Sequence, residues 1–148
     1  FGIDEAFVAV FPPPPTSLES LLREATILGD RGRLEEALEI ADKAVVAYFA
    51  NKAGFELRGR LRMAAHQARA AAADFERVLA IDADDHKARF WYAESLRSCG
   101  DYPRCIAVLE ELSRRLVPLS DDDVLDDEDG LTVRDLRSAA RSMTEAME

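Results

Sequence analysis

Three consecutive stretches of 34 residues, Leu18–Asn51, Lys52–Asp85 and His86–Leu119, stack in register when written one above another. One column holds Ala25, Gly59 and Ala93, and the place three residues on holds Leu28, Arg62 and Leu96. A later column holds Ala37, Ala71 and Cys105, all small. Beyond it stand Ala41, Phe75 and Leu109, then Ala44, Val78 and Leu112. A constant period of this length with small residues at set places marks an array of helix-turn-helix units, an all-α fold. The reason is close approach. Where the first helix of a hairpin (A) crosses the second (B), a small side chain lets the backbones meet and bulky neighbours fill the flanks.

Each row carries its own punctuation. Thr16-Ser17-Leu18-Glu19 has capping-box spacing, which predicts that the first helix A opens at Thr16 with Glu19 reaching back. Leu18, Leu21, Leu22, Ala25 and Leu28 keep helical period to Gly29, and Arg31-Gly32-Arg33 turns the chain. Helix B then runs from about Leu34 to Tyr48, with Asn51 ending it. The second row has His66-Gln67 where glycine is expected, inside the alanine-rich tract Ala64–Ala73. Helix propensity alone would allow one continuous rod there. Phase with the flanking rows predicts a break near His66 instead, with helix B closing at Ile81. In the third row helix A spans about His86 to Ser98. Gly100-Asp101-Tyr102-Pro103 stops it and starts the next helix, which ends near Leu116.

The flanks differ in character. Phe1–Phe11 is apolar and runs into Pro12–Pro15, four prolines that favour a stiff polyproline spacer. Residues 1–17 therefore read as an extended arm, with Phe1, Phe7, Val8 and Phe11 as candidates to dock on a partner. Folding back over the first repeat, or filling the chain's own groove, are the competing readings. Residues 120–130 (SDDDVLDDEDG) form a charge run, expected to be a mobile solvated loop. A last helix over 131–148, capped by Thr132, presents Leu131, Leu136, Ala139, Ala140, Met143 and Met147 as an apolar stripe. A repeat array needs such an element to cover its last exposed face.

The rows resemble the tetratricopeptide repeat (TPR) family. The third carries the resemblance best, with Ala93, Leu96, Gly100-Asp101-Tyr102, Cys105 and Leu109. The first supplies Ala25, Leu28, Gly32, Leu34, Ala37 and Ala44; the second supplies Gly59, Ala71, Phe75 and Leu79-Ala80-Ile81-Asp82. The resemblance covers residues 18–119, about two thirds of the chain. It implies a right-handed α-solenoid of three repeats with a C-terminal capping helix. It also implies a concave groove lined by the A helices, which by position takes Glu19, Leu22, Arg23 and Thr26; Ala53, Glu56, Leu57 and Arg60; Lys87, Phe90, Trp91 and Glu94.

The carboxylate clamp of this family, which grips the acidic C-terminal tail of Hsp90 or Hsp70, needs Lys and Asn, then Asn, then Lys and Arg. The corresponding places here read Leu22, Thr26, Leu57, Lys87 and Trp91, and only Lys87 matches. A terminal carboxylate needs several converging donors, so clamp-type binding of those tails is argued against. Leu22, Leu57, Phe90 and Trp91 instead suit an amphipathic helix or extended peptide, with Arg23, Arg60 and Lys87 selecting acidic flanks. Packing of Phe90 or Trp91 inside the array is the competing reading.

Composition and motifs narrow the function. A net charge of −10 argues against nucleic acid as the main partner, because phosphate binding needs a basic face. No apolar run approaches the roughly 18 residues of a membrane span. Two cysteines cannot build a disulfide scaffold and suggest a reducing compartment; Cys105 falls at a packing place, six residues after Cys99. For calcium, taking Gly130 as the turn glycine puts the first ligand on Leu125 and the bidentate glutamate on Leu136, and both fail. His66 and His86 have no ligand at zinc spacing. No phosphate loop, nucleophile elbow or kinase set occurs, so no catalytic, metal or cofactor residue is nominated.

The expected function is a non-enzymatic protein-binding module, an adaptor or structural subunit of a larger assembly. It is expected to be intracellular and cytoplasmic, or organellar after removal of a targeting peptide. A chaperone for hydrophobic clients is the alternative. Three repeats, acidic charge and one closing helix are similar to the TPR chaperones of bacterial type III secretion translocators.

Overall fold

A computed structural model describes residues 16–148. The arm positions Phe1, Phe7, Val8 and Phe11 lie outside the described residues. Six helices form three successive hairpins: α1 (Leu18–Asp30) with α2 (Leu34–Ala47), α3 (Lys52–Ala64) with α4 (Ala68–Ile81), and α5 (His86–Ser98) with α6 (Tyr102–Leu116). Two short strands, β1 (Val124–Asp126) and β2 (Leu131–Thr132), precede a last helix, α7 (Val133–Ala146). Helices neighbouring in sequence pack on one another through α6, α1 also touches α3, and α7 rests on α6 and α5.

The turns decide where each hairpin folds. Gly32 (φ +78°), His66 (φ +61°) and Gly100 (φ +85°) occupy the same place in the three turns and share the left-handed conformation. In each, the next residue donates its N–H five residues back: Arg33 to Leu28 at 2.9 Å, Gln67 to Arg62 at 2.8 Å, and Asp101 to Leu96 at 2.9 Å. The break at His66 is therefore real. Alanine propensity, worth tenths of a kcal/mol per residue, loses to the burial gained by folding the hairpin.

Two expectations about helix ends need correction. Helix α1 opens at Leu18, with Ser17 as its cap accepting from the Ser20 N–H at 3.2 Å. The start one residue later puts Glu19 out of reach of the cap, and it pairs with Arg23 at 2.8 Å instead. Helix α2 ends at Ala47 rather than Tyr48, and Asn51 serves the following helix. Its Oδ1 accepts from the Ala53 N–H at 2.9 Å, satisfying one of the donors that a helix start leaves open. Asp85, Asp101 and Thr132 cap α5, α6 and α7, the last in a full capping box with Asp135.

The sequence columns become the core. Ala37, Ala71 and Cys105 are fully buried, as are Ala44, Val78 and Leu112. A small cluster around Ala25, Ala37, Ala41 and Leu61 holds the first repeat. A larger one runs from Ala71 and Phe75 through Leu96 and Leu112 into α7, which contributes Val133, Leu136, Ala140 and Met143. Val133, absent from the expected stripe, is fully buried, whereas Leu131 and Ala139 are half-buried. One inward place is polar. Arg62 stands where Leu28 and Leu96 stand in the other rows, and it pairs with buried Asp74 at 2.8 Å.

The acidic stretch departs most from expectation. Residues 120–130 do not form a solvated loop without structure. Strand β1 lies antiparallel to β2, with Val124 opposite Thr132 and Asp126 opposite Leu131. Gly130 turns the hairpin (φ +70°), and Leu125 packs against the large core. Four of its seven carboxylates meet cations: Asp121 pairs with Arg137, Asp122 with Arg134, and Asp126 and Asp129 with Lys87. These cations come from other parts of the chain, so a local count of charge does not register them.

Candidate functional site

Helices α1, α3 and α5 carry every groove position named from the repeat phase. In the first repeat, Leu22 is half-buried, Arg23 is exposed and tied to Glu19, and exposed Thr26 donates its hydroxyl to the Leu22 carbonyl at 2.7 Å. None of these three lines the cleft described next. Leu57 is half-buried against the small core cluster, and Phe90 packs against the large one. Trp91 also touches the large core, its ring 5.7 Å from that of Phe75.

Between α3 and α5, Glu56, Arg60, Lys87 and Trp91 are brought together around a cleft of about 610 Å³. The Arg60 guanidinium lies 5.2 Å from the centre of the Trp91 ring, and the Lys87 ammonium 5.0 Å from it. A tryptophan with two cations near its ring is an apolar platform with positive charge beside it. Glu94 stands beside it, lining a smaller hollow with Arg60, Met63, Phe75 and Trp91.

Sequence phase missed six of the ten residues that line this cleft. Lys52, Asp85, Leu125, Asp126, Glu128 and Asp129 complete its lining. Lys52 pairs with Asp82 at 2.7 Å and Asp85 at 2.9 Å, and Lys87 pairs with Asp126 and, at 2.9 Å, Asp129. A signal was present: only Lys43, Lys52 and Lys87 are lysine, and two of them open successive A helices. Lys87, expected to select a partner's acidic flank, is engaged here by the chain's own hairpin.

The charges are tightly balanced. Burial pulls the Lys87 ammonium down, but hydrogen bonds to Asp126 and Asp129 outweigh it and leave the pKa above the usual lysine value. Lys52 is raised likewise, with Asp82 and Asp85 overcoming desolvation. Burial, then a hydrogen bond to Asp85, pushes Glu56 up to about 8, so near neutral pH it holds a proton and donates it. Asp85 goes the other way. Burial would raise it, but bonds from Glu56, Lys52 and the Ala88 N–H lower it. One added proton thus lets two carboxyl groups share the floor of a cleft with Lys52 above them.

Stacked helical hairpins with one concave face form an α-solenoid, a class of scaffold that works by presenting that face. The tetratricopeptide repeat family's profile matches residues 62–117, and the chain has the fold of a TPR solenoid, three repeats with a C-terminal capping helix. It is similar to the type III secretion translocator chaperone SycD of Yersinia enterocolitica, with a TM-score of 0.70 and 21% identity over 87% of this chain and 88% of that one. SycD in complex with a peptide of the translocator YopD matches with a TM-score of 0.67 and 19% identity, over 89% of this chain and 99% of that one. The Sgt2 TPR domain from Aspergillus fumigatus follows, with a TM-score of 0.65 and 20% identity over 92% and 87% of the two chains. No match is found among curated proteins. Among the described residues, no helix is long and apolar enough to cross a membrane.

Proposed function

We propose that this protein is a non-enzymatic interaction module, an adaptor or assembly subunit that takes a protein segment along its concave face. The fold supports binding of a protein partner. The observation that carries the finer reading is the Trp91 platform, flanked by Arg60 and Lys87 on the surface where α3 meets α5. A half-buried aromatic rimmed by cations is the composition of an interface centre. Leu22, Arg23 and Thr26 on α1, Leu57 on α3, and Phe90 and Glu94 on α5 are proposed to extend that surface beyond the cleft.

The test is co-purification from the native source, with wild type compared to Trp91→Ala and Arg60→Glu. Both substitutions are expected to reduce partner recovery at least tenfold while far-ultraviolet circular dichroism keeps its helical signal. Recovery unaffected by either would remove the groove.

A second reading, a chaperone for hydrophobic clients, is favoured by the likeness to SycD over nearly its whole length. A chaperone should keep a hydrophobic client soluble on co-expression, whereas an assembly subunit should elute within a large complex. The arm residues Phe1, Phe7, Val8 and Phe11 belong to the adaptor reading as a proposed second docking element, tested by deleting residues 1–15 and asking whether the large complex is lost.

A further inference from the structure

The acidic hairpin sits on the face that a partner would use. Leu125 lines the same cleft as Trp91, and Asp126 and Asp129 both reach the Lys87 ammonium. The segment thus places one apolar side chain on the core and two carboxylates on the cation that flanks the platform. Arg60, which lines the same cleft with its guanidinium 5.2 Å from the ring centre, is exposed and has no carboxylate partner among the described residues. The cleft therefore keeps positive charge unmatched beside a site already taken by acid.

The hairpin is built to be removable. Its grip on Lys87 consists of partly exposed ion pairs, which solvent screens, plus one half-buried leucine. Its base is secured separately. Arg137 bonds the Leu116 and Leu119 carbonyls, at 2.6 and 3.0 Å, and the Thr132–Asp135 box starts α7. Val133, Leu136, Ala140 and Met143 hold α7 in the core without help from Lys87.

We propose that the second and third repeats recognise a partner segment in which an apolar side chain is followed by carboxylates, and that Leu125, Asp126 and Asp129 imitate that segment as a built-in competitor. This rests on the groove reading above and adds to it the partner's chemistry and a displaceable occupant. A tethered competitor acts at an effective concentration near the millimolar range, so weak contacts suffice to raise the threshold for docking.

The probe is a labelled synthetic peptide of residues 120–130 added to the full chain, followed by anisotropy and by the emission of Trp91, the single tryptophan. The central variant is Asp126→Asn with Asp129→Asn. Asparagine keeps the Oδ1 acceptors that bond the Glu128 and Leu131 N–H groups, both at 2.9 Å, and removes the charge that holds Lys87. This variant is expected to bind the peptide at least tenfold more tightly than wild type. A second variant, Leu125→Ser, frees the tip without touching charge and should tighten binding in the same way. Should the first variant lose its helical signal, the second decides. A peptide carrying the Leu125→Ser change, or the two Asn changes, should lose binding, as should Lys87→Gln in the protein.

Equal affinity for wild type and both variants would overturn the competitor, and no binding at millimolar peptide would overturn the acidic-apolar preference. If the peptide fails while partner recovery still depends on Trp91 and Arg60, the groove stands and this inference falls. Peptide affinity unchanged in Trp91→Ala and Arg60→Glu would remove the groove reading itself.

Discussion

The edge of the Phe75 ring fills the place where a side chain on Gly59 would begin: a Cβ there would lie 2.8 Å from both Cε1 and Cζ. That contact lies where α3 crosses α4, and it explains why the second row takes Gly59 in a column that holds Ala25 and Ala93 in the other two. Phe75 is 1% exposed, so its ring has no room to withdraw. Gly59→Ala is therefore expected to destabilise. The helix-propensity gain of about 1 kcal/mol is outweighed by an overpacking cost of roughly 1–3 kcal/mol. Thermal unfolding should show the loss, and Gly59→Ala with Phe75→Leu should recover most of it.

His66 should yield stability in the opposite direction. It holds φ +61° where the other two turns use glycine, and its side chain is exposed. A left-handed conformation costs a non-glycine residue roughly 1–2 kcal/mol, partly offset by the greater freedom glycine has when unfolded. His66→Gly is expected to gain about 0.5 kcal/mol, seen as a higher urea midpoint with an unchanged slope. A lower midpoint would contradict the shared turn geometry.

Asp74 carries the buried charge of the second repeat. It is 2% exposed and accepts from Arg58 at 2.8 Å and from Arg62 at 2.8 Å. Burial pulls the Arg58 guanidinium down, but its bond to Asp74 leaves it raised. Asp74→Ala leaves mostly buried Arg62 with no carboxylate and Arg58 with only exposed Asp42, at 3.1 Å, and a loss of about 3 kcal/mol is expected. Arg62→Leu restores the apolar residue of the neighbouring rows and leaves Arg58 on Asp74. Its cost should be under about half as large, by urea unfolding of both variants.

The proton on Glu56 predicts a pH dependence. Its pKa stands at about 8 in the fold against an ordinary 4.5, so the native state binds a proton that the unfolded chain releases. Its contribution is whole below about pH 4.5 and is lost as pH rises through about 8. The shifts of Asp85 and Lys52 act outside this window, below the normal aspartate value and above the normal lysine value. Burial holds His86 below the usual histidine value, which adds a rise in stability up to about pH 6.5; net of that rise, urea midpoints of wild type should fall between pH 5 and pH 8. Glu56→Gln should flatten that fall, matching wild type at pH 5 and exceeding it at pH 8.

The period of 34 residues, read from side-chain size alone, determined the three hairpins, their turns and most of the core. It could do so because close helix crossings constrain the local sequence directly: Ala37, Ala71 and Cys105 are small since nothing larger fits. The same phase located Arg60, Lys87 and Trp91 on one face, since positions on an A helix follow from the turn of the helix. Tertiary structure alone decided what those residues meet. The pairs of Lys87 with Asp126 and Asp129 span 39 and 42 residues, and Asp74 reaches Arg58 and Arg62 across a hairpin. Electrostatic partners act through space over a few ångströms and impose no spacing on the chain. An acidic run therefore reads as solvated until the fold brings cations to it.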